Sequence, residues 1–118
     1  MKKLLLLILL LATSASAQPL SKKDWALEAA TYAFLAADWG QSRDIAEHPN
    51  HFTESNFILG DHPSTKMVDE YFLTDFAVHL VITRMLPPKY RPYWQLFTIG
   101  LETNAIETNY SSGVIIRF

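Results

Sequence analysis

Three long stretches of this chain space their apolar residues at helical intervals, and two proline-bearing breaks separate them. The first runs from Trp25 to about Ala46 with no proline and one glycine, and Asp24 is placed to cap it. Its inward face is expected through Thr31, Phe34, Leu35, Asp38, Gln41, Ser42 and Ile45, which sets a carboxylate in line with apolar neighbours. Pro49 ends it, because the residue before a proline is pushed out of helical geometry. The second stretch begins after Ser64 and runs to Leu86, with a face of Val68, Tyr71, Phe72, Asp75, Phe76, His79, Ile82 and Leu86. Asp75 and His79, one turn apart, are placed to meet. Pro87-Pro88 stops it, and Lys89-Tyr90-Arg91 reads as a short basic turn. Pro92 suits the start of a third helix, ending near Asn109 or Tyr110. Its stripe is Gln95, Thr98, Ile99, Glu102, Ala105, Ile106 and Asn109.

Between the first two helices lies Glu54 to Ser64, ESNFILGDHPS. Gly60 admits a positive φ, Pro63 fixes its own, and Phe57, Ile58 and Leu59 bring apolar surface. The stretch predicts a structured, partly buried connector. After Ser111-Ser112-Gly113, the β-prone tail Val114 to Phe118 is expected to fold back on the helices or to pair as an edge strand. The pattern predicts an all-α fold: a small antiparallel three-helix bundle after an N-terminal signal helix, with a short extended C-terminal tail.

The N-terminus changes the picture most. Met1-Lys2-Lys3, an apolar run from Leu4 to Leu11, and Ala15-Ser16-Ala17 together read as a cleavable signal peptide. Residues 1–17 are then the signal peptide and 18–118 a single helical domain, 118 − 17 = 101 residues long. Without Lys2 and Lys3, 8 basic residues face 12 acidic ones, so the formal charge moves from −2 to −4. A mildly acidic exported domain without a basic stripe is a poor partner for nucleic acid. The chain has no cysteine, so neither a disulfide framework nor a lipid-bearing cysteine exists. Localisation is expected to be exported and periplasmic, with the inner membrane as an associated surface. Mid-segment charges (Glu28, Asp38, Asp75, Glu102, Glu107) and a basic turn on the wrong side argue against three membrane spans.

The order Asp38-x-x-Gln41-Ser42, Glu54-x-Asn56-x-x-Leu59-Gly60, His62-Pro63-Ser64, Tyr71-Phe72, His79, Leu86-Pro87 and Arg91 covers nearly the whole domain. It resembles a functionally uncharacterised family of small signal-peptide-bearing bacterial and phage (prophage) envelope proteins. Those relatives read Glu-x-Asn-Pro at the connector, where this chain has Phe57. A more distant likeness, to small bacterial membrane proteins with an Asp-and-Thr helix before a Glu-x-Asn-Pro turn, keeps an inner-membrane reading in play. Neither resemblance implies an activity.

The polar residues Asp38, Gln41, Glu54, Asn56, His79, Glu102 and Asn109 are the candidate site. They form either a buried hydrogen-bond network that fixes helix register or a convergent ligand-binding cluster. Asp38, His79 and Glu102 supply donors that a divalent metal accepts, although no Glu-x-x-His pair supports it and the sequence requires no cofactor. His48, His51 and Glu54 offer a weaker surface alternative. No G-x-S-x-G motif or cysteine nucleophile appears, so an enzyme is not expected. Trp25, Trp39, Tyr90, Tyr93, Trp94 and Phe97, near helix ends, are expected to close the core or to form membrane-interface belts. The expected function is non-enzymatic association with another envelope protein or the membrane surface. The alternatives are a metal- or ligand-binding helical module and a small polytopic inner-membrane protein.

Overall fold

The computed structural model describes residues 2–4, 6 and 18–118. The Ala15-Ser16-Ala17 motif and most of the apolar run before it lie outside the described residues. The fold is all-α. Helix α1 spans Lys22–Glu47, α2 Thr65–Met85 and α3 Arg91–Ser111, with a 3-10 turn at Pro88–Tyr90. No strand occurs among the described residues. None of their helices is long and apolar enough to cross a membrane, so the polytopic reading gains no support.

At 26 residues, α1 is about 39 Å long and serves as the spine. It packs against both α2 and α3, which meet each other far less. Its N-terminus is set by a capping box: Ser21 accepts from the Asp24 amide, and Asp24 accepts from the Ser21 amide. The cap is therefore Ser21 rather than Asp24. Ser64 caps α2 through the Met67 amide.

The inward face of α1 is as polar as it is apolar. Leu35 and Ile45 are its large buried apolar residues, against Asp24, Glu28, Thr31, Gln41, Ser42 and Asp44. The apolar cluster sits instead at one end, where Leu59, Val68 and Phe72 pack with Trp39, Ala46, Tyr71 and Phe76. Trp39 stacks on Phe72 at 6.2 Å and meets Phe76 edge-on at 6.0 Å. Of the aromatics expected to close the core, only Trp39 and Trp94 pack inward. Trp25, Tyr90, Tyr93 and Phe97 are exposed.

The connector is built as expected. The Glu54 amide donates to Asp61 O (2.9 Å) and the Gly60 amide to Asn56 O (3.1 Å), with Gly60 at φ +78°. Asn56 Oδ1 accepts from the Ile58 amide at 3.0 Å, the local turn expected of asparagine. Leu59 anchors the loop in the core, while Phe57 and Ile58 project into solvent, 91% and 61% exposed.

The tail folds back on α1 without forming a strand. The Arg117 amide donates to Gly40 O (3.0 Å), the Ile115 amide to Asp44 Oδ2 (3.0 Å), and Phe118 meets Trp39 edge-on at 5.4 Å. Arg91, which the sequence places in a short basic turn, is 1% exposed. Its five donors reach Leu86 O, Pro19 O, Gln18 O, Arg84 O and Asp24 Oδ2. A guanidinium survives burial when each N–H is occupied, and here each is.

Candidate functional site

Helix α1 presents four acidic positions to its neighbours, and three are compensated. Asp24 lies 2.9 Å from Arg91. Burial opposes its ionisation, but the Ser21 amide and Arg91 outweigh that and hold its carboxyl below the usual range. Asp44 receives the Ile115 amide, lies 2.9 Å from Arg117 Nε and is 3.1 Å from His48 Nδ1. Against burial, those partners keep it low as well.

Glu28 is satisfied without an arginine. His79 Nδ1 stands 2.7 Å from Oε1, while Thr83 Oγ1 (3.0 Å) and Gln95 Nε2 (2.9 Å) donate to Oε2. Burial raises this carboxyl, but the bonds from His79, Gln95 and Thr83 together lower it below the usual range. An ionised carboxylate only accepts, so Nδ1 carries the proton toward it. On the far side of the ring, Nε2 lies 3.0 Å from Thr98 Oγ1, and Trp94 stacks on the imidazole at 4.8 Å. The order hydroxyl, imidazole, carboxylate is that of a nucleophile relay. Yet Glu28, His79 and Thr98 are 1%, 2% and 9% exposed, so a substrate has no access. The network is structural.

Asp38 is the exception. Its carboxyl is hydrogen-bonded to Glu102 of α3, and Asn109 Nδ2 lies 3.3 Å from Oδ1. The Asn109 amide also donates to Gln41 Oε1 (3.2 Å), whose own amide reaches Ile106 O (3.2 Å). No cation stands near. Burial drives Asp38 up to about 6, with Glu54 and Asp75 adding to it while the bond with Glu102 opposes it. Burial likewise drives Glu102 up to about 8, helped by the adjacent Asp38 and then Asp75. Two carboxyls in contact titrate as a pair, and at neutral pH this pair holds a shared proton. Asp75, close by on α2, is also raised by burial, against the favourable field of His79.

The pair opens into a hollow of about 250 Å³ lined by Asp38, Glu54, Ser55, Asn56, Phe57, Ile58, Tyr71, Glu102 and Ala105. Glu54 is 5% exposed. Its Oε1 accepts from the Asn56 amide at 3.0 Å, but Oε2 is buried without a partner. Burying a carboxylate oxygen with nothing to accept from is costly and calls for a functional explanation. A larger, more open hollow of about 480 Å³ lies between the tail and His48, His51 and Phe52, where the acid, Asp44, is already paired.

The seven candidate residues therefore divide. Asp38, Glu54, Asn56 and Glu102 line one hollow, Gln41 and Asn109 brace its Asp38 side, and His79 belongs to the Glu28 network. The expected meetings of His79 with Asp75 or Glu102 do not form as hydrogen bonds, because Glu28 and Thr98 occupy both ring nitrogens. Among the described residues no group of three or more His, Asp or Glu side chains is arranged to hold a metal ion. Neither the Asp38–His79–Glu102 set nor the His48–His51–Glu54 set comes together. Glu28, Thr83 and Arg91 were not singled out from the sequence as buried polar groups; the i, i+4 repeat Asp24-Glu28 was the available signal. Compared with protein-family models, curated proteins and solved structures, the chain matches none, so the family resemblance rests on the residues quoted above.

Proposed function

We propose that this chain is an exported, non-enzymatic envelope protein, an antiparallel three-helix bundle over residues 18–118, which acts by binding. Its working site is the hollow beneath the connector, and the ligand presents a positive charge there. The observation that carries this reading is the buried, unpartnered Oε2 of Glu54, a residue that lines the same hollow as the carboxyl pair of Asp38 and Glu102. Four other acids are matched with donors of the chain itself: Asp24 with Arg91, Asp44 with Arg117, Asp69 with Arg43, Glu28 with His79. A positive ligand would supply here what those residues supply there. Export is supported by the basic start, the apolar run and the A-x-A motif.

The test is an NMR titration of the purified protein with arginine amide, ethylammonium, Ca²⁺ and Mg²⁺ in turn. At least one should give saturable shifts confined to Asn56, Tyr71 and Glu102. Its affinity should fall at least tenfold in Glu102→Gln. If none of the four cations moves these signals, the hollow is not a cation site.

A further inference from the structure

The shape and rim of the hollow say more about its occupant, granted that it takes up a positive charge. Its acidic walls come from three places: Asp38 on α1, Glu102 on α3 and Glu54 on the connector. Small hard cations draw oxygens into a tight shell at about 2.0–2.6 Å, and no such cluster of acidic groups is arranged in the described residues. A guanidinium has five N–H donors in a flat fork, reaches several acceptors at hydrogen-bond distance, and is weakly hydrated enough to be buried. Arg91 shows this chemistry at work in the same fold, with five donors satisfied inside the protein.

The rim completes the argument. Phe57 and Ile58 stand at the mouth, exposed, on a loop fastened by the Glu54–Asp61 and Gly60–Asn56 hydrogen bonds. Tyr71, an aromatic residue lining the hollow, is of the type against which a planar cation packs. A free small cation makes no use of two exposed apolar side chains at the edge of the hollow. A polypeptide would, because the residues on either side of an inserted arginine come to rest there.

We propose that the hollow receives the guanidinium of an arginine carried by a partner polypeptide, with the carboxylates of Asp38, Glu54 and Glu102 as acceptors and Phe57 and Ile58 seating the flanking apolar residues. No covalent step is involved. Entry of the cation favours the ionised pair, so the shared proton leaves to solvent.

The test uses blocked peptides acetyl-Phe-Arg-Phe-amide and acetyl-Phe-citrulline-Phe-amide, with arginine amide and Ca²⁺ as comparators. Affinity is read by NMR titration and proton release by calorimetry in two buffers at pH 7. The arginine peptide should bind at least tenfold more tightly than its neutral citrulline counterpart, and several-fold more tightly than arginine amide. Binding should release protons. Glu102→Gln, the shape of the protonated acid, should remove at least tenfold in affinity. Phe57→Ala, at an exposed position, should lower peptide affinity by a larger factor than arginine amide affinity. Equal binding of the two peptides, or of peptide and arginine amide, would overturn the inference. Binding of Ca²⁺ alone, lost in Glu102→Gln, would overturn it too, yet leave the hollow a cation site. Silence from every probe would remove both readings.

Discussion

His79 Nδ1 and Glu28 Oε1, 51 residues apart in the chain, lie 2.7 Å from each other with both side chains buried. This contact fixes how α2 lies on α1, and through Gln95 and Thr98 it also fixes α3. Glu28→Ala would leave His79 Nδ1 buried with no acceptor and strip Thr83 and Gln95 back to their backbone acceptors, His79 O and Asp24 O. Stripping one partner from a buried polar pair costs about 3–5 kcal/mol. For a domain of this size, each kcal/mol shifts the melting midpoint by about 4–8 °C. A midpoint at least 12 °C lower, read by circular dichroism, is expected, with Glu28→Gln milder because its amide oxygen still accepts.

The two populations of acids set opposite limbs of the pH–stability curve. Asp24, Glu28, Asp44 and Asp69 are held below their usual values, so their contribution is lost as pH falls through and below the ordinary carboxylate range. Asp38 and Glu102 are raised, so the folded state binds more protons than the unfolded chain above about pH 4. Their contribution is then lost as pH rises from there to about 8. Stability should peak on the acid side of neutrality, with the melting midpoint declining from about pH 5 to 8. Urea unfolding across pH should show that decline flattened in Glu102→Gln. An unchanged slope would mean the pair is not protonated.

Arg91→Lys keeps the charge but brings three donors to a place with five acceptors. At least two part-buried carbonyls lose their partner, so a loss of about 1 kcal/mol or more is expected. Hydrogen exchange should report it locally. The amides around Gln18–Leu20 should lose protection before those of α2.

Gly40 lies under the C-terminal tail. An added Cβ would sit 2.5 Å from Ile116 and 2.8 Å from Phe118, side chains that can swing, but also 3.3 Å from the Arg117 backbone nitrogen. Gly40→Ala should lift the tail, break the Arg117–Gly40 hydrogen bond and cost about 1–3 kcal/mol. Faster trimming by a carboxypeptidase is the readout. Helix α1 itself should gain from alanine, so an unchanged tail with higher stability would contradict the close approach.

The helices were legible because their ends are written in prolines and caps. Pro49, Ser64, Pro87 and Pro92 mark boundaries that the structure keeps within a few residues. The inward line Thr31, Leu35, Gln41, Ser42 and Ile45 was legible too, since period alone selects it. What spacing along one helix does not give is the azimuth of its neighbours. Asp75 and His79 are one turn apart, yet the imidazole turns to Glu28 on another helix. Arg91 looked like part of a basic turn because its acceptors are carbonyls, which carry no sequence signature. The hollow was half-visible: Asp38, Glu54, Asn56 and Glu102 stood out as polar residues in apolar stripes, but their separation from His79 required coordinates.

Under the export proposed above, the grip of Arg91 on Gln18 O and Pro19 O would also order the steps of processing. A peptidase that cuts after Ala17 needs the residues on both sides of the bond extended in its cleft. Once α3 has closed on α1, the two residues just past that bond are held against the body of the protein. Removal of the leader must therefore come before the arginine closes, or wait until it opens. On that proposal, processing and folding of this chain would compete for the same two carbonyls.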